Sequence, residues 1–124
     1  MANVWPGMKF ELEKEVTPEV TAARVGSGSL PVLATPVMIA WMEEASVAAI
    51  QPQLDEGETS VGILVTIRHM APTKVGKAVR IISEVAEVKG NKISFAVKAY
   101  DEQNKIGEGS HERAVVNAEK FMNK

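Results

Sequence analysis

The run from Thr35 to Gln51 limits what this chain can fold into more than any other stretch. It has the length of about four helical turns, and apolar residues fall on nearly every side of them. A helix at the surface carries a polar stripe, so one without it has to be enclosed by protein. Thr35 before Pro36 is a start signal, because a threonine side chain caps exposed N–H groups and proline at the first helical position has no N–H to leave unbonded. Gln51-Pro52 closes the run, since proline disfavours helical geometry in the residue before it. The remaining chain reads as strands that cover this helix.

Two carboxylates, Glu43 and Glu44, interrupt the apolar run. Neighbouring helical residues point about 100° apart, so an enclosed helix should remove at least one of them from water. Desolvation raises the pKa of such a group and makes it useful as a base, an acid or a hydrogen-bond anchor. The alternative is that both glutamates emerge on a solvated seam or cap a neighbouring backbone group. Periodicity leaves both readings open.

A chain of 124 residues fits one domain, spanning residues 1–124, with a hydrophobic core of its own. A net charge of −2 is too small to attract a polyanion, and 5% aromatic content gives little surface for base stacking, so no nucleic-acid partner is expected. The absence of cysteine removes disulfides, thiolate nucleophiles and cysteine-based zinc sites. Met1–Pro6 lacks the basic region and apolar core of a secretory signal. No stretch reaches the roughly 18 apolar residues of a membrane span, because Glu43 and Glu44 break the one candidate. Cytoplasmic residence without membrane association is the expectation.

Along the chain, Lys9 to Val16 alternates charged with apolar residues, placing Phe10, Leu12 and Val16 on one face of a half-buried strand. Gly26 to Pro31 is a turn-rich connection into the helix. A second strand runs from about Val61 to Ala71. Strict alternation there puts Val61, Ile63, Val65, Ile67 and His69 on one face and Gly62, Leu64, Thr66, Arg68 and Met70 on the other. Val79 to Lys89 and Lys92 to Asp101 form a hairpin about Gly90-Asn91, with Ile93, Phe95, Val97 and Ala99 as its inward row. A last strand covers Lys105 to Asn117, where Gly107 and Gly109 allow a bulge or a close backbone approach. Ala118 to Lys124 carries no strong pattern. The fold class is therefore α+β, an antiparallel β-sheet wrapped around one long central α-helix. One sheet covers one side of a helix, so a homodimer is the economical way to complete the burial.

Phosphate loops, dinucleotide fingerprints, nucleophile elbows and paired-histidine metal motifs are missing. With His69 and His111 as the histidines, no metal site is expected. What remains is a hydroxyl, Thr35, at the helix start; a carboxylate, Glu43, two turns on; and an imidazole, His69, on a strand that packs against the helix. Such a set suits acyl transfer or hydrolysis, with the helix N-terminus near a developing oxyanion.

At these residues the sequence resembles the hotdog-fold acyl-CoA thioesterases, in the branch of the fluoroacetyl-CoA thioesterases. The likeness rests on Thr35 through Met42-Glu43, on Gly62 leading to Thr66-x-x-His69, and on Gly107-x-Gly109-x-His111-Glu112-Arg113. It implies a hotdog fold, hydrolysis of a small acyl-CoA to free acid and CoA, and a dimer with sites near the subunit interface. It further implies Thr35, Glu43 and His69 as the catalytic set, Gly62 and Arg113 as substrate-binding residues, and no cofactor beyond the coenzyme A that is part of the substrate. Arg113 would hold a polar part of the CoA ester, and Glu44 falls to structure. The fluoroacetate-specific enzyme carries an aromatic-rich lid before the helix, whereas this chain has no aromatic residue between Phe10 and Trp41. That departure points to a general short-chain acyl-CoA. Two other readings stay open: a non-catalytic acyl-CoA or CoA-binding protein, and a hydratase or dehydratase on the same fold.

Overall fold

The computed structural model describes residues 3–124; Met1 and Ala2, the start of the Met1–Pro6 stretch, lie outside it. In chain order the elements are β1 (Lys9–Glu15), a 3-10 turn (Pro18–Val20), α1 (Ala22–Val25), α2 (Thr35–Ile50), a second 3-10 turn (Gln51–Gln53), β2 (Glu58–His69), β3 (Ala78–Lys89), β4 (Lys92–Tyr100), β5 (Lys105–Asn117) and α3 (Ala118–Met122). The strands form one antiparallel sheet in the order β1-β3-β4-β5-β2, curled against α2. No helix among the described residues is long and apolar enough to cross a membrane.

The expected inward row of β4, Ile93, Phe95, Val97 and Ala99, is fully buried, and Val79, Ile81, Ser83 and Val85 of β3 lie beside it. Against these strands α2 sets Met38, Trp41, Met42, Ala45, Ser46, Ala49 and Ile50. Val37, Ile39, Val47 and Ala48 on its other side remain half-buried, so one sheet does leave part of the apolar helix uncovered. The Ser46 and Ser83 hydroxyls meet at 2.7 Å in the core, and Ser46 also donates to the Met42 carbonyl at 2.8 Å. This pair fixes the helix against β3 without leaving either hydroxyl unpartnered. The β3–β4 hairpin turns at Gly90, whose φ of 62° is the left-handed conformation that glycine permits.

Two expectations from the sequence are corrected, and the open choice for the two glutamates falls to the solvated reading. Thr35 does not cap α2. Ala34 holds the cap position, and no side chain among the described residues caps that end. Thr35 is itself the first helical residue, with its hydroxyl turned toward His69. Neither glutamate is deeply buried: the Glu43 side chain is 40% exposed, while Glu44 is 52% exposed and pairs with Lys14 at 3.2 Å. Strict alternation along β2 also fails. Opposite β5, Ser60 faces Val115 and Gly62 faces Arg113, but beyond the bulge residue Ile63 it is Val65 that faces His111, Ile67 that faces Gly109 and His69 that faces Gly107. Cross-strand partners share a face, so the extra residue brings Gly62 onto the same side as His69 and removes Val61 from that row.

The glycines of β5 serve the close approach expected of them. A side chain on Gly109 would run into the Thr66 backbone, and one on Gly107 would lie 2.7 Å from the end of Met38. A second bulge, at Ile106, adjoins Gly107. The chain end, which carried no pattern, forms the short α3, capped by the Asn117 side chain accepting from the Lys120 N–H at 2.9 Å.

Candidate active site

The last residue of β2 and the first of α2 meet directly. The Thr35 hydroxyl and Nδ1 of His69 share a hydrogen bond of 2.7 Å. Nε2 of His69 is closed off from solvent and lacks a hydrogen-bond partner among the described residues. Burial pushes the ring below its ordinary value of 6.5, with the backbone of Ala71 opposing. The imidazole is therefore neutral near pH 7, the form in which a ring nitrogen accepts a proton. The pair opens into a recess of about 290 Å³, whose lining includes Ala22, Ser27, Val32, Leu33 and the stretch Met70 to Pro72 besides the two residues themselves.

The helix end beside them has few open donors. The Ala34 N–H donates to the Val20 carbonyl, and those of Val37 and Met38 both reach the Ala34 carbonyl. Pro36 has none, so among the described residues the Thr35 N–H is the backbone donor of this turn left unbonded. The helix N-terminus expected near a developing oxyanion therefore offers that one backbone donor and the positive end of the helix dipole.

Glu43 stands apart from the pair. Eight residues along α2 correspond to about 12 Å, and no hydrogen bond or ion pair among the described residues joins Glu43 to Thr35 or His69. It belongs to a second cluster. Its Oε2 lies 3.9 Å from Nη1 of Arg113 and 4.0 Å from Nε2 of His111. Gly62 closes the group: a side chain there would lie 2.9 Å from Glu43 Oε2, 3.2 Å from His111 Cε1 and 3.3 Å from Arg113 Nη1. Glu43, Gly62, Ile63, Leu64, Val65 and His111 line an open recess of about 390 Å³ on the outer edge of β2.

Arg113, which the resemblance assigned to a polar part of the CoA ester, points inward and is 7% exposed. Its Nε donates to the Ser60 hydroxyl at 2.8 Å, its Nη2 to the Ser60 carbonyl at 3.0 Å and its Nη1 to Nε2 of His111 at 3.1 Å. These bonds hold the guanidinium in place behind Glu43. Sequence reasoning had no role for His111 or Ser60. The signal that identifies them is pairing: with Ile63 counted as an insertion, Ser60, Gly62, His111 and Arg113 fall on one face of two adjacent strands.

A family model described as fluoroacetyl-CoA-specific thioesterase matches residues 16–119. A fluoroacetyl-CoA thioesterase from Streptantibioticus cattleyicolor is 42% identical over 90 residues, which are 73% of this chain and 65% of that protein; the chain thus spans just under two thirds of the relative's length. The crystal structure of a mutant of the fluoroacetyl-CoA-specific thioesterase FlK, in complex with fluoroacetate and CoA, superposes with a TM-score of 0.90 at 35% identity, covering 95% of this chain and 99% of that one. A thioesterase-superfamily protein from Thermus thermophilus superposes at 0.92 with 34% identity, covering 99% and 91%. The sheet wrapped on one helix is the hotdog fold.

Proposed function

The chain belongs to the fluoroacetyl-CoA-specific thioesterase family, and from that premise we propose that it hydrolyses a short acyl-CoA to the free acid and CoA, with Thr35, Glu43 and His69 as its catalytic set. The observation that carries this reading is the 2.7 Å contact between the Thr35 hydroxyl and a neutral, half-buried His69 at the mouth of a recess. With the ring proton on Nε2, Nδ1 takes the threonine's proton, so the hydroxyl is ready to orient the acyl group or water, or to attack the thioester carbon. The positive end of α2 and the Thr35 N–H meet the oxyanion. Glu43, partly open to solvent, activates water or attacks directly, and Arg113 holds it.

We further propose that a homodimer assembles this set. Ile63, Leu64 and Val65 are 47%, 50% and 43% exposed along the free edge of β2. An unpaired apolar edge of this kind is a template for another strand. Two-fold pairing of antiparallel β2 edges about Val65 sets the His69 end of one copy against the Gly62 end of the other, so the partner subunit's Glu43 completes the Thr35–His69 site.

The lining supports a short acyl group as the substrate class. Ala22, Ser27, Val32 and Leu33 beside His69 are small or aliphatic, and no aromatic residue precedes the helix after Phe10. The recess suits a short acyl group without selecting for fluorine. A panel of acyl-CoAs assayed by thiol release, with wild type and Glu43→Ala side by side, tests the proposal. Turnover that collapses in a folded variant is the expected result. No turnover of any member, together with a CoA-induced thermal shift, would replace the hydrolase with a CoA-binding protein.

A further inference from the structure

His111 is 1% exposed, yet both of its ring nitrogens are engaged by groups that allow no choice of proton. Nδ1 lies 2.8 Å from the carbonyl oxygen of Leu64, which can only accept, so Nδ1 carries the hydrogen. Nε2 lies 3.1 Å from Nη1 of Arg113, which can only donate, so Nε2 presents its lone pair. The two neighbours together fix one neutral tautomer. Burial first, and then the charge of Arg113, keeps the ring below its ordinary 6.5, against the Leu64 carbonyl and the carboxylates of Glu43 and Glu112. Glu43 at 4.0 Å is thus not the partner of an imidazolium. The ring plane is set from the far side by Phe95 of β4, stacked at 6.0 Å between centroids and 27° between planes.

The two bonds reach different parts of the site. Leu64 follows the bulge residue Ile63, where the β2–β5 ladder shifts register. A bulge leaves ladder groups without their regular partners, and the His111 Nδ1–H reaches the Leu64 carbonyl there. This pins the stretch that carries Gly62 past Glu43. On the other side, Nε2 orients the guanidinium whose Nη1 stands 3.9 Å from Glu43 Oε2.

We propose that His111, as its Nδ1–H tautomer, is a positioning residue that ties the Ile63 bulge to Arg113 and so sets Glu43 for the reaction. The inference rests on the reading that Glu43 acts on the thioester.

The test uses full-length protein with acetyl-CoA and fluoroacetyl-CoA as probes. His111→Phe keeps the ring and its stacking but neither hydrogen bond. It should lower kcat by about 10- to 100-fold, the range that a displacement of about 1 Å produces, with KM within about threefold. His111→Asn, whose amide N–H lies where Nδ1 was, should recover part of the loss by donating to Leu64 again, and it carries the kinetic arm if the Phe variant fails to fold. A kcat for His111→Phe within about twofold of wild type, while Glu43→Gln collapses, overturns the role of His111 alone; a Glu43→Gln variant that keeps full kcat overturns the reading beneath it. Nitrogen-15 shifts of the His111 ring in the wild-type protein decide the tautomer without any turnover: the Nδ1–H form is expected, and the Nε2–H form or a charged ring at neutral pH overturns the proposal.

Discussion

The Thr35 hydroxyl lies 2.7 Å from Nδ1 of His69, joining the start of α2 to the end of β2. This contact needs a short side chain with a hydroxyl at the helix start. Thr35→Ala and His69→Ala should each lower kcat by about 10²- to 10⁴-fold, the usual contribution of a proton-transfer group. Thr35→Ser, which keeps the hydroxyl, should retain more activity than the alanine variant. Steady-state kinetics with thermal melts on each variant check this; an alanine variant as active as wild type would remove that residue from the catalytic set.

Acid should weaken the fold through its histidines. His69 and His111 both bind protons less readily when folded than when unfolded, mainly because burial disfavours the charged ring. The unfolded chain therefore takes up more protons below the ordinary value of 6.5. Their contribution to stability is complete above that value and is lost as pH falls through the lower folded-state values. Thermal unfolding followed between about pH 5 and pH 8 should show Tm declining on the acid side, with a shallower decline in His111→Phe.

Glycine substitutions should separate site geometry from fold. Gly62→Ala brings a methyl group to 2.9 Å from Glu43 Oε2, the movable end of a side chain, so Glu43 shifts and the chain still folds. Activity should fall by about tenfold or more, with a small change in Tm. Gly109→Ala meets the Thr66 backbone, which cannot yield without breaking the β2–β5 pairing. That variant should lose about 3 kcal/mol or more. Circular dichroism melts beside activity assays give the contrast, and equal Tm losses in the two variants would contradict it.

Mixing inactive variants reads the assembly. If the site joins one copy's Thr35 and His69 to the other copy's Glu43, Thr35→Ala and Glu43→Ala dimers exchanged together regain one intact site per mixed dimer. Random exchange then restores about a quarter of wild-type activity. Sites contained within one chain restore none. Ile63→Lys, which puts a charge on the exposed edge, should shift the protein toward monomer by size-exclusion chromatography.

The buried serine pair predicts an asymmetry. Ser46→Ala strands the Ser83 hydroxyl in the core and should cost about 1–3 kcal/mol, whereas Ser83→Ala leaves Ser46 bonded to the Met42 carbonyl and should cost about 1 kcal/mol. Denaturant unfolding of both variants measures the difference.

What the sequence determined by itself are the features set by near neighbours. The prolines at 36 and 52 bracket the helix between Thr35 and Ile50, the period-two rows place Ile93, Phe95, Val97 and Ala99 inward, and Gly90 marks the hairpin. Each depends on local backbone sterics or on which face must leave water, and both are written in adjacent residues. The residue types of the candidate site were legible in the same way, as a hydroxyl, a carboxylate and an imidazole in a suitable order.

The tertiary structure decided who meets whom. An extra residue at Ile63 changes neither composition nor hydrophobicity, yet it reverses the facing of everything before it along β2 and brings Gly62 to Glu43. Nothing adjacent to Arg113 in the sequence names its partners; only the pairing of β5 with β2 brings up Ser60 and His111 to take up its nitrogens. The direction of a side chain depends on strand register, and register is fixed by contacts between residues 47 to 53 positions apart, such as His111 with Leu64 and Arg113 with Ser60.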